Sequence, residues 1–122
     1  MKISRLFVVT LWAQDVAAAA HFYRDVLGLS MLPHHGARPH FKLGETLITI
    51  LQCETPISQE GQSTRFPAIA FEVENLDAIA EELKTHHVEL PWGIEEDSDS
   101  RWAMFRDPAG NLLEIAELRR LG

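Results

Sequence analysis

The hydrophobic and polar positions along the chain predict eight short strands and two amphipathic helices. Residues 6–12 are rich in β-branched and aromatic side chains, which favours a strand. Asp15 then suits a helix N-cap, and apolar residues recur at helical spacing as far as Leu27. The same order returns later, where residues 68–73 predict a strand and Asn75 precedes a second helical stripe. The other predicted strands are residues 29–32, 40–43, 46–53, 88–90, 102–105 and 112–116.

The two halves of the chain share this order of elements, which indicates an internal repeat. An offset of 60 residues places Val8 on Ala68, and a later offset of 66 places Ile48 on Glu114. The predicted fold class is therefore α+β, with two βαβββ modules whose strands form a curved mixed sheet around a cavity. The modules are expected at about residues 3–53 and 67–117, joined by a polar linker at 54–66.

Small side chains on one face of the first strand predict the wall of that cavity. Phe7, Val9 and Leu11 are bulky and should pack under the first helix. Val8 and Thr10 lie between them and are smaller, and two alanines take their places in module two. We expect the cavity to bind a small molecule. Its predicted lining is Val8, Thr10, His40, Ile48, Ile50, Ala68, Ala70, Trp102, Leu112 and Glu114.

Glu114 is the residue of this set whose chemistry most needs an explanation. The sequence Asp-Pro-Ala-Gly-Asn at 107–111 predicts a turn between two strands, and the second strand carries Glu114 among apolar residues. A carboxylate in such a place costs free energy unless it has a partner or a function. Glu114 is therefore either a structural ion-pair partner or a ligand-binding or general-base carboxylate, whose pKa an apolar cavity would raise.

The composition of the chain limits which classes of binding partner and which cellular location are expected. A net charge of −7 argues against nucleic acid or an anionic membrane as partner and favours cationic ligands. Cys53 is the one cysteine, which excludes an internal disulfide and suits a cytoplasmic location. Apolar runs are too short for a membrane span. His34 and His35 stand in a Pro/Gly loop and match no zinc signature, and residues 91–100 predict an acidic loop.

Two segments resemble the vicinal oxygen chelate superfamily, which includes glyoxalase I, bleomycin and fosfomycin resistance proteins and extradiol dioxygenases. The first is residues 15–29, which contain His-Phe-Tyr-Arg-Asp-Val-Leu-Gly-Leu. The second is residues 106–115, Arg-Asp-Pro-Ala-Gly-Asn-Leu-Leu-Glu-Ile. The resemblance covers both modules and implies the fold, whereas the superfamily carries many activities on one scaffold.

The resemblance also implies where a divalent metal would bind. The ligand positions of metal-using members fall on Val8, Ile48, Ala68 and Glu114, and only Glu114 has a ligating side chain. We therefore expect no metal and no other cofactor, and a homodimeric protein that binds a cationic or aromatic small molecule between modules or subunits. The alternative is a lyase, isomerase or dioxygenase-like enzyme that uses Glu114 or a divalent metal. The sequence leaves open whether the protein is an enzyme.

Overall fold

The computed structural model describes residues 1–33, 39–54 and 68–119. Contacts divide the chain into two compact units, residues 1–58 and 59–122, and each unit contains one four-stranded mixed sheet. The α+β class predicted from the sequence is therefore confirmed, with the element order βαβββ in each unit. The predicted linker lies almost entirely outside the described residues. Among the helices that the structure describes, none is long and apolar enough to cross a membrane.

Module one begins with a strand and a capped helix. The Asp15 carboxylate accepts the Ala18 N–H at 3.0 Å, and the helix then continues as a π-helical turn until Gly28 adopts a φ of 73°. The elements are β1 (Val8–Ala13), α1 (Val16–His21), the π-helical turn (Phe22–Val26), β2 (Ser30–Met31), β3 (His40–Leu43) and β4 (Thr46–Gln52). The sheet has the order β1-β4-β3-β2, in which β1 runs parallel to β4.

The core of module one lies between its helix and one face of its sheet. The Tyr23 ring of the π-helical turn lies 5.9 Å from the Phe41 ring of β3, and both side chains are fully buried. Val9 and Leu11 face this core as predicted, because they alternate with exposed residues along β1. Phe7 does not pack under the helix, since β1 starts one residue later and the Phe7 side chain is 56% exposed.

Module two repeats this arrangement. Its elements are β5 (Ile69–Glu72), α2 (Leu76–Thr85), β6 (Ile94–Glu96), β7 (Ser100–Arg106) and β8 (Leu112–Leu118). The Asn75 side chain accepts the Ala78 N–H at 3.1 Å, and α2 buries Leu76, Ala80 and Leu83 against its sheet. The sheet has the order β5-β8-β7-β6, with β5 parallel to β8.

The prediction of the second strand of this module is wrong. We expected a strand at 88–90 and a loop at 91–100, whereas β6 forms at Ile94–Glu96. The reason is the end of α2, where His87 takes a φ of 62° and the Val88 N–H donates to the Leu83 carbonyl. This bond folds residues 88–90 back towards the helix. The chain reaches β7 only at Ile94, which pairs with Ala103.

Candidate functional site

Glu114 lies in the middle of β8, with β5 on one side and β7 on the other. Its register partners are Ala70 and Met104, so these three side chains point to the same side of the sheet. The neighbours of Glu114 along the strand, Leu113 and Ile115, are buried under α2. Glu114 therefore projects from the side of the sheet away from α2, which we call the distal face of module two.

The environment of Glu114 favours its neutral form. Partial burial raises the pKa of the carboxyl above its ordinary value of 4.5, and the like charge of Glu95 raises the pKa further. Across residues 1–33, 39–54 and 68–119, the Glu114 carboxylate makes no hydrogen bond or ion pair within the chain. Arg106 lies on the same face, yet its Nη1 donates to the Gly110 carbonyl at 2.9 Å. The described part of the chain therefore contains no partner for the structural ion pair that was one of the two interpretations of Glu114.

The predicted turn before β8 fixes the register that places Glu114 on the distal face. Asp107 is buried, and its Oδ1 accepts the Ala109 N–H at 3.0 Å and the Asn111 N–H at 2.8 Å. Its Oδ2 accepts the Asn111 side-chain amide at 2.9 Å. Gly110 closes the loop with a φ of 100°, a conformation that favours glycine. A slip of one residue here would move Glu114 to the other side of the sheet.

Other predicted residues of module two share the distal face with Glu114. Trp102 is half-buried, and Leu112 is 8% exposed and pairs with Arg106. Ala70 is exposed beside Glu114, and Ala68 is exposed just before β5 begins. The structure therefore places the predicted module-two residues on or beside one surface.

Glu95 also belongs to this surface, and the sequence analysis missed it. It is the middle residue of β6 and pairs with Trp102, which puts its carboxylate on the distal face. The sequence predicts an acidic loop around Glu95, because residues 91–100 carry no alternating apolar pattern. Ile94, the residue before it, pairs with Ala103 on the helix side. The apolar Ile94 followed by the polar Glu95 was the one sequence signal that could have indicated a strand here.

In module one, three of the five predicted residues lie on the corresponding face, away from the helix. Val8 and Thr10 are exposed on that face of β1, and Thr10 pairs with Thr49 of β4, which in turn pairs with His40 of β3. Ile48 and Ile50 do not lie there. Their register partners are Val9 and Leu11, and they are 2% and 1% exposed in the core.

The predicted equivalence of Ile48 and Glu114 is therefore wrong by one residue. Glu114 pairs with Ala70, and the residue 60 positions before Ala70 is Thr10, which pairs with Thr49. Thr49 is thus the module-one counterpart of Glu114. The error arises because two residues connect β3 to β4 and five connect β7 to β8, so aligning the two turns by their glycines reverses the alternation.

The residues at the four corresponding positions do not fit a divalent metal. Val8 and Ala68 have no ligating atom, and the Thr49 hydroxyl, which is neutral, already donates to the Pro39 carbonyl at 3.1 Å. Glu114 alone offers a carboxylate. Within the described ranges, no group of three or more His, Cys, Asp and Glu side chains could hold a metal ion. His34 and His35 lie outside those ranges.

A cavity of about 720 Å³ also opens on the other side of module two. It lies along α2, between Ala80 and Lys84 on the helix and Val88, Leu90 and Ile94 on the segment that follows. It contains none of the residues predicted for the site, and its lining also includes the charged residues Asp77, Glu81, Lys84 and Glu89.

Comparison with known proteins finds relatives by sequence similarity. The chain is 32% identical to the uncharacterized protein YraH of Bacillus subtilis (strain 168), with 93% of this chain and 98% of that protein covered. It is 33% identical to the mitochondrial methylmalonyl-CoA epimerase of Mus musculus over 68% of this chain, which spans 53% of the epimerase.

Solved structures share the fold over nearly the whole chain. A lactoylglutathione lyase from Agrobacterium tumefaciens has a TM-score of 0.75 and 25% identity, with 96% of each chain covered. TnmS3, an antibiotic binding protein from Streptomyces sp. CB03234, has a TM-score of 0.78 and 19% identity, with 98% of this chain and 99% of that chain covered.

The family model of the Glyoxalase/Bleomycin resistance protein/Dioxygenase superfamily matches residues 5–115. This match includes both βαβββ modules and both segments that carried the resemblance. The chain therefore belongs to the Glyoxalase/Bleomycin resistance protein/Dioxygenase superfamily.

Proposed function

We propose that the protein binds a small molecule on the distal face of module two without using a metal. The observation that carries this proposal is the state of Glu114. It occupies a chelating position of the superfamily, yet the three corresponding positions hold Val8, Thr49 and Ala68, which supply no charged ligand. A half-buried carboxylate with a raised pKa and no partner in the described chain is suited to binding a cation from solution.

The surroundings of Glu114 support a cationic or aromatic ligand. Glu95 adds a second negative charge to the face, and the indole of Trp102 lies beside it. An aromatic ring next to carboxylates suits a flat organic cation, because the ring face and the carboxylates both attract positive charge. TnmS3, whose fold this chain shares, is an antibiotic binding protein. We further propose that the protein acts as a homodimer in the cytoplasm, in keeping with its single cysteine.

The second candidate function is proton transfer by Glu114. A raised pKa brings a carboxyl closer to the range in which it works as a general base near neutral pH. Two relatives carry enzyme names, the methylmalonyl-CoA epimerase at 33% identity and the lactoylglutathione lyase at 25%. Epimerisation requires removal and return of one carbon-bound proton, which a single base can begin. The binding function is favoured because Val8, Thr49 and Ala68, at the other three positions, carry no charged group that could stabilise an enolate.

The experiment combines metal analysis with ligand binding. Protein purified without a metal-affinity tag is examined by elemental analysis before and after soaking in Ni, Zn, Mn or Fe(II). It is then titrated calorimetrically with benzamidinium, a flat aromatic cation, and with benzamide, its neutral isostere. We expect no stoichiometric metal. We expect the protein to bind benzamidinium in preference to benzamide, and Glu114→Gln to abolish this binding. Glu82→Gln, an exposed carboxylate of α2, is the matched control and should bind normally.

Three results would overturn this function. About one tightly held ion per chain or per dimer would restore the metal-dependent alternative. Deuterium incorporation at C2 of methylmalonyl-CoA that depends on Glu114 would establish proton transfer instead. Equal binding of benzamidinium and benzamide, unaffected by Glu114→Gln, would remove Glu114 from ligand recognition altogether.

A further inference from the structure

The short edge strand β6 carries two carboxylates that point to opposite sides of the sheet. Glu95 pairs with Trp102 and belongs to the distal face, where its charge acts on Glu114. Glu96 pairs with Arg101 and belongs to the side that α2 covers. Because β6 has only three residues and a single neighbouring strand, its backbone bonds alone hold it weakly.

Two arginines hold β6 through Glu96. Arg119, at the end of β8, donates from Nη2 to Glu96 Oε2, and Arg101 Nε lies 4.0 Å from the same oxygen. The guanidinium of Arg101 also donates to Asp77 of α2 at 3.1 and 3.2 Å. These contacts connect β6 to β7, to β8 and to the helix.

Glu117 completes the network on the same side. Its Oε2 lies 3.6 Å from Arg101 Nη1, and its Oε1 accepts the Leu76 N–H at the first turn of α2 at 3.0 Å. Arg101 is therefore fixed from two directions, by the helix and by β8. When this network holds Glu96 on the helix side, the alternation of side chains along β6 directs Glu95 to the opposite side of the sheet.

We propose that Arg119 and Arg101 are positioning residues for the distal face: by binding Glu96 on the helix side, they hold Glu95 beside Trp102 and Glu114 on the opposite side. The significance of this arrangement for ligand binding rests on the proposed function, whereas the positioning itself does not. The two arginines touch neither Glu114 nor any ligand placed on the distal face, because they project from the other side of the sheet.

The titration of Glu114 distinguishes positioning from simple charge effects. Among the described residues of module two, the charged groups that face Glu114 are Glu72 on β5, Arg106 on β7 and Glu95 on β6. If β6 loosens, Glu95 moves away and water reaches Glu114, and both changes lower the pKa of Glu114. Removing a positive charge without moving β6 would have the opposite effect and raise the pKa of Glu114. The sign of the change therefore identifies the mechanism.

The test is a carboxyl ¹³C NMR titration of Glu114 without any ligand, in the wild type and in four variants. We expect Arg119→Gln and Arg101→Gln to shift the midpoint downward, towards that of Glu95→Gln. Lys84→Gln removes a positive charge from α2 at a residue paired with Glu81, outside the network, and should leave the midpoint unchanged or raise it. An upward or absent shift in both arginine variants would overturn the proposal. Arg119 lies on the surface, so its variant remains informative if Arg101→Gln fails to fold.

A binding measurement separates this proposal from the proposed function. If both are correct, Arg119→Gln should weaken benzamidinium binding by about twofold, the size of effect expected from one exposed ion pair. A downward shift of the Glu114 midpoint with no detectable benzamidinium binding in any variant supports the positioning role and removes the proposed ligand class. Normal benzamidinium binding with no downward shift supports the ligand class and overturns the positioning role.

Discussion

Replacing Asp107 by Ala should destabilise the protein through the turn that sets the register of β7 and β8. The Asp107 side chain is 4% exposed and accepts two backbone N–H groups, from Ala109 and Asn111, at 3.0 and 2.8 Å. Alanine leaves both donors without this acceptor. A hydrogen bond to a charged group contributes about 1.5 kcal/mol at the lower end of measured values. Two such bonds give an expected loss of about 3 kcal/mol in the free energy of unfolding.

Urea unfolding monitored by tryptophan fluorescence measures this loss. With a slope of about 1.5 kcal/mol per molar urea, the midpoint should fall by about 2 M. Asp107→Asn is the matched control, because its side-chain oxygen can still accept both backbone N–H groups while the bond from the Asn111 amide to Oδ2 is lost. We expect the control to lose about 1 kcal/mol. An alanine variant that loses less than its asparagine counterpart would refute the role of these bonds.

The remaining predictions concern charge, capping and register. Glu114→Gln should become more stable relative to the wild type as pH rises above about 4.5. The reason is that the folded wild type keeps the Glu114 proton over a pH range in which the unfolded chain has already lost it. Urea midpoints from pH 4 to 8 test this, and a difference between the two midpoints that does not change with pH would contradict it. Asn75→Ala should cost about 1 kcal/mol by removing the cap on Ala78, and Asn75→Asp should cost little. Ile48→Glu should unfold module one or cost about 4 kcal/mol or more, because it buries a charge in the core, whereas Thr10→Glu should cost less, because Thr10 is exposed on the other face. Circular dichroism melts measure the stability of the capping and register variants, and equal costs of the two glutamate variants would contradict the assigned register.

Much of the fold could be predicted because its signals are local. Asp15 and Asn75 each accept the N–H three residues ahead, as the capping preference of short polar side chains requires. The alternation along β1 placed Val9 and Leu11 in the core, since successive side chains of a strand point to opposite faces. The turn at 107–111 formed where Pro and Gly fit its geometry.

The features that the sequence did not predict depend on contacts between distant residues. β6 exists because Ile94 meets Ala103 of β7, and its own three residues carry no periodic pattern. The role of Glu95 follows from that pairing and could not be inferred before it. The ion pair of Arg119 with Glu96 likewise joins residues 23 positions apart, which no local spacing rule connects.

The corrected register changes the reason for doubting a metal site but leaves the proposal intact. Ile48 has a hydrocarbon side chain in the core and lies on the opposite face of β4 from the predicted site. Thr49 does lie on the relevant face, and its hydroxyl is directed to the Pro39 carbonyl. A neutral hydroxyl held in this way cannot replace a carboxylate as a charged ligand. The corresponding positions therefore give Glu114 no second charged ligand for a divalent metal, and we propose an organic cation as the partner of its carboxylate.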